Sequence, residues 1–125
     1  MAFLCPRCGG RTLEIIRALE MPGDADADEM TIQAIACGRC GLRGAAVYQE
    51  SRRGRLDSES WSHRGFSLGE GDYQKLDGLL RACPRPGEPG CGCAAHSALK
   101  QTDPSGRWCG LDEFTPLAPF DMLLE

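Results

Sequence analysis

Apolar and polar residues alternate along three short segments in the first fifty residues of the chain. The segments are Arg11–Met21, Met30–Ala36 and Ala45–Gln49. On the first of them, one face carries Leu13, Ile15, Leu19 and Met21. Alternation with a period of two is typical of strands that bury one face. We therefore predict an antiparallel sheet of two or three strands in this part of the chain.

In the second half of the chain, apolar residues recur with the period of a helix. Ser67-x-x-Glu70 has the spacing of a capping box, which is an N-terminal helix signal. Apolar positions then recur at helical intervals, at Tyr73, Leu76, Leu79, Leu80 and Cys83. The pattern predicts a helix over about 70–82 and a short second helix that starts near Cys93. The fold class is therefore small α+β, with a sheet followed by a short helical, loop-rich segment.

Length and composition indicate that the fold needs additional cross-links. The chain has 125 residues with 16 Gly and 8 Pro, and only four Phe, two Tyr and two Trp. We predict a first module at residues 1–55 and a second at 56–125. Modules of about 60 residues bury too little surface to be comfortably stable without disulfides or metal. Eight cysteines can supply these cross-links, and their spacing favours metal.

The N-terminal cysteines form two copies of one motif. Cys5-Pro-Arg-Cys8-Gly and Cys37-Gly-Arg-Cys40-Gly are both C-x-x-C-G, with 28 residues between Cys8 and Cys37. Two residues between cysteines allow a tight turn, or knuckle, to direct both sulfurs at one ion, and its N–H groups can stabilise the thiolates. Two knuckles complete a closed tetrahedral site. The sequence therefore predicts a metal site made by Cys5, Cys8, Cys37 and Cys40.

Residues 3–50 resemble the zinc-ribbon family, in which paired C-x-x-C knuckles hold the base of a β-hairpin. The resemblance implies a structural zinc ion but no particular function, because this fold serves many functions. Rubredoxins also hold one iron between two such knuckles, but their C-P-x-C-G knuckle comes second and aromatic residues surround the site. Here the proline knuckle comes first, and no aromatic residue lies between Cys8 and Cys37. Zinc is therefore the expected metal.

A second metal site is predicted in the second module. Three prolines separate Cys83 from Cys91, and Cys93 and His96 stand three residues apart at the start of the short helix, where both can face one point. Cys83, Cys91, Cys93 and His96 then form a Cys₃His site, and two zinc ions are expected in the protein. In an alternative site, Cys109 replaces His96 as the fourth ligand.

Charge and chemistry favour a protein partner. The net charge is −4, and an acidic chain is poorly suited to non-specific nucleic-acid binding. We expect a zinc-stabilised interaction or adaptor protein. The alternatives are a transcription-related ribbon that binds nucleic acid through Arg52, Arg53 and Arg55, a zinc hydrolase, and an iron electron carrier. We do not expect an enzyme. No glutamate stands beside a predicted metal ligand, as it does in the catalytic H-x-E motif. His63 is predicted to be a surface or packing residue.

Localisation and the C-terminal segment complete these expectations. The sequence contains no run of about 18 apolar residues and its N-terminus lacks the pattern of a signal peptide. Paired cysteines without a secretion signal indicate a reducing compartment, so we expect a cytoplasmic protein with no membrane contact. The C-terminal segment carries Phe114 and Phe120 on either side of Pro116 and Pro119. It is expected to fold back over the core, the alternative being docking on a partner.

Overall fold

The computed structural model describes residues 2–23, 28–51, 60–106, 108–111 and 119–124. In these residues the chain forms five strands and two helices. In chain order they are β1 (Leu13–Pro22), β2 (Glu29–Cys37), β3 (Arg43–Ser51), β4 (Ser60–Ser67), α1 (Glu70–Ala82), α2 (Ala94–Leu99) and β5 (Pro119–Asp121). The predicted α+β composition is confirmed, as are the three predicted strands and both helices.

The five strands form one antiparallel sheet in the order β1-β2-β3-β4-β5. Strands β4 and β5 were not predicted from the sequence. Both follow residue 55, so the sheet contains strands from either side of the predicted module boundary. The division of the chain into two modules at that point stays a prediction.

A β-bulge divides β1 into two parts. The register with β2 shifts between Ile15 and Arg17, and the side chain of Ile16 is half exposed. One extra residue reverses the face that later side chains occupy. Leu13 therefore packs on one side of the sheet, while Leu19 packs on the other. The expectation that Leu13, Ile15, Leu19 and Met21 share one face is wrong for this reason.

The sheet is buried on both faces, and each face has its own core. The helix-side core joins the sheet to α1 and α2 and consists of Leu19, Met21, Met30, Ile32, Ala34, Ala45, Val47, Leu68, Tyr73, Leu76, Leu80, Cys83, Ala95 and Leu99. The knuckle-side core consists of Phe3, Cys5, Leu13, Ile35, Cys37, Leu42, Ala46 and Met122. Neighbouring residues of one strand, such as Ala45 and Ala46, belong to different cores because side chains alternate along a strand. Cysteines of the two predicted metal sites thus contribute to opposite faces.

Helix α1 packs on the sheet through its apolar stripe and one ion-pair cluster. Asp77 is buried, and its two carboxylate oxygens accept hydrogen bonds from Arg17 of β1 at 2.8 Å and from Arg81 at 3.0 Å. The predicted capping box does not form. Ser67 ends β4, and Gly69 is the N-cap residue without a side-chain hydrogen bond. The strand pairing of Ser67 with Gly44 therefore overrides the local capping signal.

The two ends of the chain meet beside the sheet. Phe3 pairs with Leu13 of β1, and the N–H of Leu4 donates to the carbonyl of Leu123 at 2.7 Å. The N-terminal segment thus connects the edge of β1 to the segment that follows β5. Phe120 and Met122 pack on the knuckle-side core. The expectation that the C-terminal segment folds back is confirmed for residues 119–122, while Phe114 lies outside the described residues.

Gly44 is a position where the sheet accepts no side chain. A Cβ atom there would collide with the main-chain carbonyl oxygen of Phe66 on β4. We expect Gly44→Ala to lower the free energy of unfolding by about 2–4 kcal/mol, because two paired strands must separate. Gly78→Ala is the matched control, since a Cβ there meets open space on α1 and should raise stability by up to about 1 kcal/mol. Urea unfolding of both variants tests this, and equal stability would contradict it.

Candidate metal centres

The two C-x-x-C-G motifs fold into equivalent knuckles. In the first, the Cys5 carbonyl accepts from the Gly9 N–H at 2.9 Å. In the second, the Cys37 carbonyl accepts from the Gly41 N–H at 3.1 Å. Gly9 and Gly41 have φ values of 77° and 80°, a left-handed conformation that favours glycine. This conformation turns each knuckle back so that both of its cysteine sulfurs face the other knuckle.

The four cysteine sulfurs of the knuckles converge on one point. All four lie within 4.8 Å of one another. The Cys5 and Cys40 sulfurs are 3.5 Å apart, and the Cys8 and Cys37 sulfurs are 3.8 Å apart. These distances exclude disulfides, which have a sulfur separation of about 2.05 Å. They agree with a tetrahedral ion about 2.3 Å from each sulfur, which holds neighbouring sulfurs about 3.8 Å apart.

The protein environment stabilises charge unequally over the four thiols. Burial raises the pKa of Cys5 to about 11. Burial also acts to raise the pKa of Cys37, but hydrogen bonds from the Thr12 hydroxyl and the N–H groups of Cys40 and Arg39 outweigh it and lower the value to about 6. A divalent ion deprotonates the thiols that coordinate it. The group as a whole would therefore reach its tetrathiolate form on binding a metal ion.

The second group lies where α1 ends and α2 begins. Cys83 is the C-cap residue of α1, and Cys93 is the N-cap residue of α2, with its sulfur accepting from the His96 N–H at 3.4 Å. The Cys83 and Cys91 sulfurs are 3.8 Å apart. The Nδ1 atom of His96 lies 3.4 Å from the Cys83 sulfur and 3.2 Å from that of Cys93. The predicted group is thus brought together within 4.8 Å, on the helix-side face.

The orientation of His96 is fixed by the edge strand of the sheet. Its ring is buried, and Nε2 lies 2.8 Å from the main-chain carbonyl oxygen of Glu20 on β1. A carbonyl can only accept, so Nε2 carries a proton; with a metal ion bound between the three sulfurs, Nδ1 would present its lone pair to that ion. The N–H of Glu20 also donates to the carbonyl of Pro86 at 2.8 Å. The N–H and the carbonyl of Glu20 therefore both bind the segment that carries the second cysteine group, and they hold it against the sheet.

The thiols of the second group also differ in acidity. Hydrogen bonds from the backbone N–H and the ring of His96 lower the pKa of Cys93 to about 6. Burial raises the pKa of Cys83 to about 11, and the neighbouring sulfurs of Cys93 and Cys91 add to this effect. Thiolates held this close together are stabilised by a shared cation. The donor set of three sulfurs and one imidazole nitrogen fits a tetrahedral site.

The structure selects His96, and not Cys109, as the fourth member of the second group. Two contacts to these groups were not predicted from the sequence. The contact of the Glu20 carbonyl with His96 could not be predicted from the sequence, because every residue has a main-chain carbonyl. Thr12 had only a weak signal, namely a hydroxyl four residues after Cys8. Each group can hold one metal ion, and all eight predicted ligands take part.

His63 is a packing residue, as expected. Its ring makes edge contacts with Phe3 and Tyr48, and its Nε2 atom lies 2.6 Å from the amide oxygen of Gln33. Burial lowers its pKa. An amide oxygen orients the ring but does not accept a proton in catalysis. The arginine cluster proposed for nucleic-acid binding, Arg52, Arg53 and Arg55, lies outside the described residues.

Neither α1 nor α2 has the length and apolar composition of a membrane-spanning helix, and the described part of the chain holds no other candidate. Comparisons of the chain with models of protein families, with curated proteins and with solved structures found no match.

Proposed function

We propose that this chain is a zinc-stabilised interaction protein that binds another protein. The observation that carries the proposal is the presence of two complete four-donor groups, one in contact with each core of the sheet. Four protein donors around one ion leave no coordination position for water, which is the arrangement of structural zinc and not of catalytic zinc. Under this proposal, metal stabilises the fold, and the surface performs the function.

Zinc is the metal that the donor sets favour. Four thiolates, or three thiolates and one imidazole, are typical structural zinc ligands. We propose further that residues 3–50 are a zinc ribbon, because the knuckles lie at the end of the sheet where Leu13 of β1 pairs with Cys37 of β2. Free thiolates require a reducing compartment, so the cytoplasm is the proposed location. Elemental analysis of the purified protein tests the metal, and visible absorbance of an iron–thiolate centre would contradict zinc.

An exposed apolar surface supports a protein partner. Trp61 is 69% exposed, and Leu123 and Leu124 are about half exposed. Trp61 and Leu123 line one cavity of about 370 Å³ together with His63 and Arg64. Tryptophan is enriched among the residues that contribute most of the binding energy in protein interfaces. The proposed docking surface is therefore centred on Trp61 and Leu123, and the exposed Leu124 follows Leu123 in the chain.

Trp61→Ala is expected to separate binding from folding. The side chain is largely exposed, so zinc content should stay unchanged and the free energy of unfolding should change by about 0.5 kcal/mol or less. Capture of the partner from the native cells should fall at least tenfold, since interface tryptophans contribute 2 kcal/mol or more. Quantitative capture, with captured protein and nucleic acid both identified, measures this effect.

The matched control for that experiment is Ile16→Ala, which removes a half-exposed apolar side chain at the bulge in β1, on another part of the sheet. This variant should capture the partner as well as the wild type does. Equal capture by Trp61→Ala would exclude the proposed surface. Recovery of nucleic acid with an affinity that falls steeply with salt would instead favour the nucleic-acid alternative.

A further inference from the structure

Thr12 contacts the first metal centre without being one of its ligands. Its hydroxyl oxygen lies 3.0 Å from the Cys37 sulfur and 3.7 Å from the Cys8 sulfur. Cys8 belongs to the first knuckle and Cys37 to the second. One hydroxyl group thus lies between the two halves of the site.

The backbone fixes Thr12 in this place. Its carbonyl accepts from the N–H of Gly38, inside the second knuckle, at 3.2 Å. The next residue, Leu13, exchanges two backbone hydrogen bonds with Phe3 and pairs with Cys37 in the sheet. Backbone contacts on both sides therefore place the hydroxyl beside Cys37, so the contact follows from the pairing of the strands.

When metal is bound, the hydrogen bond between Thr12 and Cys37 can have only one donor. A thiolate has no hydrogen to donate, so the hydroxyl of Thr12 must donate to the Cys37 sulfur. The N–H groups of Arg39 and Cys40, both 3.4 Å from that sulfur, are further donors. Donors of this kind stabilise the thiolate charge and orient the ligand.

We propose that Thr12 is a positioning residue of the first metal centre, which raises metal affinity by donating a hydrogen bond to the Cys37 thiolate. The inference rests on the proposed role of this group as a zinc site. Thr12→Val removes the hydroxyl and keeps the β-branched shape that suits the start of a strand. Thr12→Ser keeps the hydroxyl and should restore the wild-type behaviour.

The first experiment is competition for zinc with a chromogenic chelator. The wild type, Thr12→Val, Thr12→Ser and Thr31→Val are each loaded with zinc and titrated. Thr31 is the matched control, because its hydroxyl donates to the Glu20 carboxylate from strand β2 and makes no contact with the first group. We expect one of the two zinc ions in Thr12→Val to bind about tenfold more weakly, or weaker still, than in the wild type. Loss of a hydrogen-bond partner of a metal ligand has an effect of this size. Thr12→Ser and Thr31→Val should match the wild type.

The second experiment separates a direct effect on sulfur from a loss of stability. In the cobalt-loaded protein, the sulfur-to-cobalt charge-transfer band responds to hydrogen bonds on the coordinating sulfur. We expect this band to shift to lower energy in Thr12→Val and to keep its position in Thr12→Ser. Because the second centre contributes equally to each spectrum, the difference spectrum reports the first centre.

The outcomes distinguish this inference from the function on which it rests. A wild type that binds no zinc would overturn the proposed function. A wild type with two zinc ions, combined with unchanged affinity and an unchanged cobalt band in Thr12→Val, would overturn the role of Thr12 alone. Reduced affinity in Thr12→Val and Thr31→Val alike would show a general effect of removing a strand hydroxyl and would also overturn it.

Discussion

Cys37→Ser is expected to destabilise the protein more than any surface substitution. Cys37 contributes one of the four sulfurs, lies in the knuckle-side core and pairs with Leu13 at the start of the sheet. Binding of a structural zinc ion is worth about 10–16 kcal/mol, and this energy is folding energy. Loss of one thiolate should cost on the order of 5 kcal/mol or more, which is comparable with the whole stability of many domains. The melting temperature should fall by roughly 10 °C or more.

Cys109→Ser is the matched control for that experiment. Cys109 is half buried but belongs to neither four-donor group, so its replacement should leave metal content intact and change stability far less. A strong chelator should reproduce the effect of Cys37→Ser in the wild type, with unfolding of the sheet followed by circular dichroism. Unchanged thermal stability after complete metal removal would refute a structural role for the metal.

His96→Ala is expected to reduce the zinc content from two ions per chain to one. The variant removes the only nitrogen donor of the second group and also the hydrogen bond to the Glu20 carbonyl. The remaining ion belongs to the knuckles, which share no ligand with the second group. Cys5→Ser should give the complementary result, with one ion retained by Cys83, Cys91, Cys93 and His96.

The same substitution should loosen the contact between the second group and the sheet. His96 and Pro86 both bond to the backbone of Glu20, so loss of the metal frees the segment between α1 and α2 from the edge of β1. We expect faster hydrogen exchange at the Glu20 N–H and a loss of about 2–4 kcal/mol in stability. Two zinc ions in His96→Ala, or one in Cys109→Ser, would show that the fourth ligand is Cys109.

The first metal group could be predicted almost completely from the sequence. Within each knuckle the ligands are separated by two residues, and the glycine after the second cysteine allows the turn that brings its sulfurs together. Such short-range geometry depends on the chain itself and hardly on the rest of the fold. The members of the second group were predicted in the same way, since Cys93 and His96 belong to one turn at the start of α2.

The sheet was only partly predictable. Strands β2 and β3 alternate in a regular way, and β1 does so on either side of its bulge. In contrast, β4 contains Ser60, Ser62, His63 and Gly65 and lacks a clear apolar face. Its pairing on both sides is decided by tertiary packing: Gly44 of β3 allows the close approach of Phe66, and Gly65 leaves space for the ring of Phe120 on β5. The three residues of β5 are too few to carry a pattern of their own.

The sequence alone was sufficient to identify the members of the two four-donor groups, because residue identity and short spacing are local properties. The tertiary structure alone decided how the two groups relate to the fold. The bulge at Ile16 directs Leu13 and Leu19 to opposite faces of the sheet, and each of the two cores contains cysteines of one four-donor group. Likewise, the Glu20 carbonyl reaches His96 across 76 positions of sequence. Every residue other than proline has the same main-chain N–H and carbonyl groups, so the sequence does not show which of them contact a distant segment. Such contacts form only when strands and helices pack together.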